Sequence, residues 1–168
     1  MENMPLEIER KFLIEYPEDA ALCALPGCNK TEIAQTYLTP EKGGAERRVR
    51  MRGADGAYVY TYTEKEFISA VRRIEREREI EKTEYERLLT EADPSMHTLK
   101  KYRYCIPHGD FVCEIDVYPD ISDWAVLEIE LRDEAQQINL PTFVKVIREV
   151  TGEKEYSNKY LARRNKDE

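Results

Sequence analysis

Histidine and cysteine are scarce in this 168-residue chain. The two histidines, His97 and His108, are isolated, and the four cysteines are Cys23, Cys28, Cys105 and Cys113. Only Cys23 and Cys28 lie close together, with four residues between them, and neither a second pair nor a histidine cluster is nearby. That spacing excludes a structural zinc site. Long apolar runs are missing too. No stretch reaches the ~18 apolar residues of a membrane helix. The opening Met1 to Pro5 has no apolar core of a secretory leader. The expectation is a soluble, cytoplasmic chain with reduced thiols and no membrane partner. There is no internal repeat and no linker, so the length fits one domain spanning 1–168. Positive charge is in deficit, with a net charge of -8. A nucleic-acid polymer is therefore excluded as a general partner, because an acidic surface repels phosphate unless its basic residues are gathered in one place.

Charge of both signs is abundant. The charged fraction is 36%, against about 25% in an average protein. Most of it falls in segments of period-two alternation, which read as strands. These are Leu6 to Ile14, Glu32 to Leu38, Arg47 to Arg52, Ala57 to Thr63, Arg73 to Ile80, Lys100 to Ile106, Phe111 to Tyr118 and Val126 to Leu131. Gly53-Ala54-Asp55-Gly56 and Pro107-His108-Gly109-Asp110 read as hairpin turns. Helix signals are fewer. Glu18 to Leu25 reads as a short helix stopped by Pro26-Gly27. Thr83 to Ala92 has Thr83 as cap, Glu86 three residues on and Asp93-Pro94 as the stop. Pro141 to Val150 reads as a helix with proline in its first turn and Gly152 just past its end. Asn158 to Arg163 reads as a last short helix, with Arg163 to Glu168 fraying. The fold class expected is α+β, with about eight strands, enough to close an antiparallel barrel with a narrow interior.

The charges sort by strand face. Glu7, Glu9 and Lys11 share one face of the first strand, and Leu6, Ile8, Phe12 and Ile14 share the other. Arg48, Arg50 and Arg52 form a row, as do Glu75, Glu77 and Glu79. Lys101 and Arg103, Glu114 and Asp116, and Glu128 and Glu130 follow. A single charged strand face is ordinarily solvated. Rows of mostly one sign are harder to place, because like charges opposite each other destabilise a sheet. Acidic rows suit a divalent metal with hard oxygen ligands. Arginine rows suit phosphate, since the guanidinium fork binds two oxygens at once. Rows of both kinds together fit a metal-polyphosphate complex. Periodicity leaves open whether the charged face points into the barrel or out of it.

The opening Glu7-Ile8-Glu9-Arg10-Lys11 resembles the ExExK signature of the CYTH superfamily, the triphosphate tunnel metalloenzymes. Arg50-Met51-Arg52 resembles its paired arginines. Glu75-Arg76-Glu77-Arg78-Glu79 resembles its second acidic strand, and Lys101-Tyr102-Arg103 its later basic pair. Glu114-Ile115-Asp116 and Glu128-Ile129-Glu130 resemble its final acidic strands. The motifs stand in the family's order over nearly the whole chain. The resemblance implies an eight-stranded closed antiparallel barrel with the charges inside. It further implies metal-dependent hydrolysis of a triphosphate, such as inorganic tripolyphosphate. Lys11, Arg50, Arg52, Lys101 and Arg103 would hold the phosphates. The family's strand-end lysine falls on Thr63 or Lys65, which share a parity, and Lys65 is the choice. Arg48 stands where the family often has a small polar residue.

Glu7, Glu9, Glu75, Glu77, Glu128 and Glu130 would hold Mg²⁺ or Mn²⁺. Lys11, Glu114 and Asp116 are the candidate catalytic groups, the last two as further ligands or water-orienting groups. The chain would act on a small molecule as a monomer or homodimer. Two alternatives remain: an adenylate cyclase or thiamine triphosphatase of the same superfamily, and a non-catalytic polyphosphate- or nucleotide-binding module. Tyr58, Tyr60 and Tyr62 form a stripe that suits packing under a helix better than base stacking. Cys105 reads as an apolar filler and His97 as a surface residue.

Overall fold

A computed structural model describes residues 6–41, 44–69 and 71–164, with the side chains of Leu6 and Glu7 outside that description. Eight strands wind into a closed antiparallel barrel. They are β1 (Leu6–Glu15), β2 (Asn29–Leu38), β3 (Glu46–Ala54), β4 (Ala57–Phe67), β5 (Arg72–Ile80), β6 (Leu99–His108), β7 (Phe111–Val117) and β8 (Trp124–Leu131). The order around the wall is β5, β4, β3, β2, β6, β7, β8, β1, and a β1–β5 pairing closes it. The two edges of β1 are used differently. Ile8 to Glu15 pairs along the whole of β8, while only Leu6, Glu7 and Ile8 reach β5. Two tight turns set the hairpin registers. Asp55 and Gly56 both take positive φ, 53° and 82°, between the paired Ala54 and Ala57, the geometry that matches strand twist in a two-residue loop.

The face question is settled by burial on both sides of the wall. Ile8, Phe12, Ile115, Leu127 and Ile129 lie outside the barrel wall and are nonetheless buried. Leu22 of α1 (Asp19–Cys23) covers them, together with Ile138, Phe143 and Val144 of the segment after β8. Each such Leu or Ile contributes about 1.5–3 kcal/mol relative to exposure. On the opposite side Val49, Met51, Tyr60 and Tyr62 pack beneath Tyr85 and Leu88 of α2 (Lys82–Leu88). The outside is thus the apolar core, and the charged rows have nowhere to go but inward.

Four expectations need correction. Pro141 to Val150 is not a helix. Its end is β9 (Val146–Glu149), which pairs with Phe12, Leu13 and Ile14 of β1. The reason is an unfilled edge: β5 leaves β1 after Ile8, and the backbone groups beyond need partners. The segment supplies them, with Glu15 N–H donating to Lys145 O at 2.9 Å and Val150 N–H to Lys11 O at 2.8 Å. Gly152, at φ 76°, turns the chain after this strand rather than ending a helix. Thr83 is not a cap: α2 begins at Lys82, follows Glu81 without a side-chain cap bond, and tightens into a 3-10 turn at Leu89–Glu91. The last helix is α3 (Asn158–Ala162), capped by Ser157. Beyond it Arg163 and Arg164 do not fray, since Met96 bridges to Arg163 and Arg164 N–H donates to Ser95 O. Residues 165–168 lie outside the described residues. No helix among the described residues is long and apolar enough to cross a membrane.

Candidate functional site

The inward charges enclose a cavity of about 120 Å³. Glu9 and Lys11 reach it from β1, Arg48 and Arg50 from β3, and Lys65 from β4. Arg73 and Glu75 come from β5, Arg103 from β6, Glu114 from β7 and Glu128 from β8. Alternation alone aims them together, because every second side chain on each strand faces the same way. One end is covered by α3, through Ser157, Asn158 and Lys159. Seven basic and five acidic side chains among the described residues line the space, a surplus of two positive charges inside a protein of net charge -8.

Each described cavity carboxylate meets a cation. Arg73 holds Glu9 in a short ion pair. Glu75 lies 3.3 Å from Arg48 and 3.6 Å from Lys65. Glu114 lies 2.6 Å from Arg103, and Glu128 3.4 Å from Lys11. Two carboxylate pairs oppose each other directly across the wall, Glu9 with Glu130 and Glu114 with Glu128. Such like-charge pairs are destabilising unless cations lie between them. Burial works to raise Glu128, but Lys11 prevails and draws its carboxyl down to about 2. Glu114 moves the other way: burial raises it against the pull of Arg103. A carboxyl held up by burial in a cleft is suited to accept or position a proton.

A second layer stands behind these groups. Asp116 is fully buried and receives Lys101 Nζ at 2.8 Å and the Arg103 fork at 2.8 and 2.9 Å. Burial alone would raise Asp116. Arg103 and Lys101 outweigh it and hold the carboxyl well below the usual carboxylate range. Lys101 is pushed down to about 7, first by burial and then by Arg103. Gln35, also fully buried, accepts from Arg50 Nε at 3.2 Å and Nη2 at 2.8 Å and donates to Tyr37 Oη at 2.8 Å. Burial, then Arg48, lowers Arg50 to about 9.

Of the residues singled out from sequence, Glu9, Lys11, Arg50, Lys65, Glu75, Arg103, Glu114 and Glu128 come together around the cavity. Asp116 and Lys101 sit in the wall behind it. Thr63 shares the inward parity of Lys65 but donates to Glu77 at 3.3 Å, so Lys65 is the one that lines the cavity. Glu77 and Glu130 are exposed on inward strand faces beyond the cavity lining. Arg52 is half-buried and donates to Cys105 Sγ at 3.5 Å, which makes Cys105 more than a filler. The Glu7 side chain lies outside the described residues. Tyr60 stacks on Tyr85 of α2 at 4.8 Å, outside the barrel. The sequence reading passed over Arg73, Tyr37, Glu46 and Asn158. Arg73 shares the parity of Glu75, a signal present in the sequence. Asn158 had none, because only the chain's return across the barrel end brings it there.

Glutamate carboxylates are hard oxygen donors of the kind Mg²⁺ and Mn²⁺ take. No three His, Cys, Asp or Glu side chains converge in metal-holding geometry among the described residues. The donor chemistry fits such an ion, but a metal entering here must take a carboxylate from a lysine or arginine.

A closed antiparallel barrel that encloses a cation-rich, carboxylate-bearing cavity defines the structural class. The chain belongs to the CYTH domain family, whose family model matches residues 5–164. Among solved structures it is similar to the inorganic triphosphatase NE1496, at 30% identity and a TM-score of 0.57 over 96% of this chain and 95% of that one. In fold it is also similar to a conserved protein from Pyrococcus furiosus, at 18% identity and a TM-score of 0.53 over 77% and 80% of the two chains. The Hippeastrum protein HpAC1, described as having a dominant triphosphatase activity, matches at 13% identity and a TM-score of 0.50 over 75% and 80%. No curated protein matches the chain.

Proposed function

We propose that this chain, acting as one tunnel domain, is a metal-dependent triphosphatase whose substrate is inorganic tripolyphosphate. The observation that carries the reading is the ion pairing in the cavity: every described carboxylate in it is matched to a lysine or arginine, and two positive charges remain over. A metal-triphosphate complex satisfies both halves at once, the carboxylates taking the metal and the cations taking the phosphates. The 30% identity to the inorganic triphosphatase NE1496 supports it.

Lys11, Arg50, Lys65 and Arg103 would bind phosphate oxygens and spread the charge that develops on them. Arg52 and Lys101 would add to the field from the wall. Glu7, Glu9, Glu75, Glu77, Glu128 and Glu130 would supply ligands for Mg²⁺ or Mn²⁺. Held by those carboxylates, an ion of this kind would supply Lewis-acid chemistry, offsetting phosphate charge and lowering the pKa of water. Glu114 would hold the attacking water by its raised carboxyl, and Asp116 would fix the two cations that face the substrate. We further propose a cytoplasmic location and a small-molecule partner only.

One observation favours a second reading. Phe67 lines the same cavity and is 60% exposed, a ring face on which a nucleoside or thiamine group would stack. Phosphate release from tripolyphosphate, ATP and thiamine triphosphate, with Mg²⁺ or Mn²⁺, decides between them. Release is expected to be fastest from tripolyphosphate and to fall about a hundredfold or more in Glu9→Gln, since even outer-shell changes at metal sites cost 10–100-fold. Absence of release from all three, with tripolyphosphate still bound, would leave a binding module.

A further inference from the structure

Gln35 is completely buried on the inward face of β2, between two groups that line the cavity, Arg50 and Tyr37. Its side-chain oxygen accepts Arg50 Nε at 3.2 Å and Nη2 at 2.8 Å, and its nitrogen lies 2.8 Å from Tyr37 Oη. A guanidinium only donates, so the amide oxygen must face Arg50 and the amide nitrogen must face Tyr37. That nitrogen is itself a donor. Tyr37 Oη is therefore the acceptor, and its own proton points elsewhere. The ring has no room to swing, since it is 4% exposed and packs with Met96, Leu99 and Ala162. Burial pushes the phenol up to about 12, so the hydroxyl keeps its proton near neutrality and well above it. Among the described residues Tyr37 Oη makes this one hydrogen bond, as acceptor, while it lines the cavity. A glutamine that served only to satisfy Arg50 would leave that proton unexplained, because a buried donor without a partner is costly.

We propose that Gln35 is a positioning residue: anchored on Arg50, it holds the Tyr37 hydroxyl as a fixed, neutral donor aimed at the substrate in the cavity. The proposal rests on the reading that the cavity takes a triphosphate, so that the oxygen this donor meets is a phosphoryl oxygen. Such a donor is set before the substrate arrives, and it binds more strongly as negative charge gathers on the oxygen it faces.

Gln35→Glu isolates the effect. A carboxylate still accepts from Arg50 but has no proton to give, so Tyr37 must donate to it and the cavity loses its donor. Tyr37→Phe removes the same donor directly. The test is steady-state phosphate release from tripolyphosphate with Mg²⁺ by wild type, Gln35→Glu, Tyr37→Phe and the double variant, with a thermal melt of each. Each single change is expected to lower kcat about tenfold or more, the worth of a hydrogen bond to a charged group, with KM within about threefold. The double variant is expected to lose no more than either single one, because both remove one interaction. Gln35→Met, which releases both neighbours, covers the case in which Gln35→Glu does not fold: the loss caused by Tyr37→Phe should shrink in that background. Wild-type kcat in a folded Gln35→Glu, losses that multiply in the double variant, or an unchanged Tyr37→Phe loss beside Gln35→Met would overturn the proposal and leave the triphosphatase reading standing. Absence of phosphate release from tripolyphosphate by the wild type would overturn both.

Discussion

Asp116 shows how one residue can decide a site without facing it. The family resemblance places it, with Glu114, among the catalytic candidates. In the structure it is 0% exposed and carries both Lys101 and Arg103. Asp116→Asn would keep the shape and remove the charge, leaving Lys101 buried without its counterion and Arg103 with Glu114 alone. Breaking a buried pair in this way costs about 3–5 kcal/mol, and chemical denaturation should show a loss of that size. Asp116→Glu, which restores the charge at a shifted position, should recover part of it. Parity made the inward direction of Asp116 legible. Its depth was not, because depth depends on which neighbours cover it.

At the scale of elements, the eight barrel strands were legible because period-two alternation is a local consequence of the pleat. The ninth was not. Pro141 to Val150 carries a proline, apolar residues at helical spacing and a following glycine, all local helix signals. The vacant edge of β1 overrides them, and that edge exists only once β5 has turned away after Ile8. The β-branched Val146 and Ile147 sit well in such a strand. Fully buried side chains gather where β7 and β8 meet the covering segment. Leu127, opposite Ile115 and fully buried, is central among them. Leu127→Ala is expected to destabilise the protein by about 2–5 kcal/mol. The tyrosine stripe on β4 plays the same part on the other side, and Tyr85→Ala would uncover Tyr60 and Tyr62 with a smaller loss, readable in a thermal melt.

For the molecule as a whole, acid should unfold it through its interior. Glu128 is depressed from 4.5 to about 2 in the fold, and Asp116 is depressed further. A depressed carboxyl contributes stability that is fully present above its unfolded pKa and is lost as pH falls through the folded one. For Glu128 that window runs from 4.5 down to about 2. Glu114 acts in the opposite sense, because its raised pKa makes its protonation favourable in the fold as pH falls. The expected outcome is a stability plateau near neutrality and a steep decline below pH 4.5, read by denaturant titration across pH. A chain whose stability stayed flat down to pH 2 would contradict this arrangement of buried ion pairs.

The sequence by itself determined the strands, the parity of each charged side chain and the chemistry those charges could serve, because alternation and side-chain type are local properties. Its order of motifs also carried the resemblance that set the barrel's direction. Only the tertiary structure decided which of those charges share one space. Glu9, Glu75, Glu114 and Glu128 come together while Glu77 and Glu130 stay exposed, since strand stagger sets how far along the barrel each side chain falls. The placement of α3 over one end, and with it Asn158 and Lys159, is likewise a product of packing, where contacts between residues more than a hundred positions apart, such as Glu46 and Lys159, decide what a local pattern leaves open.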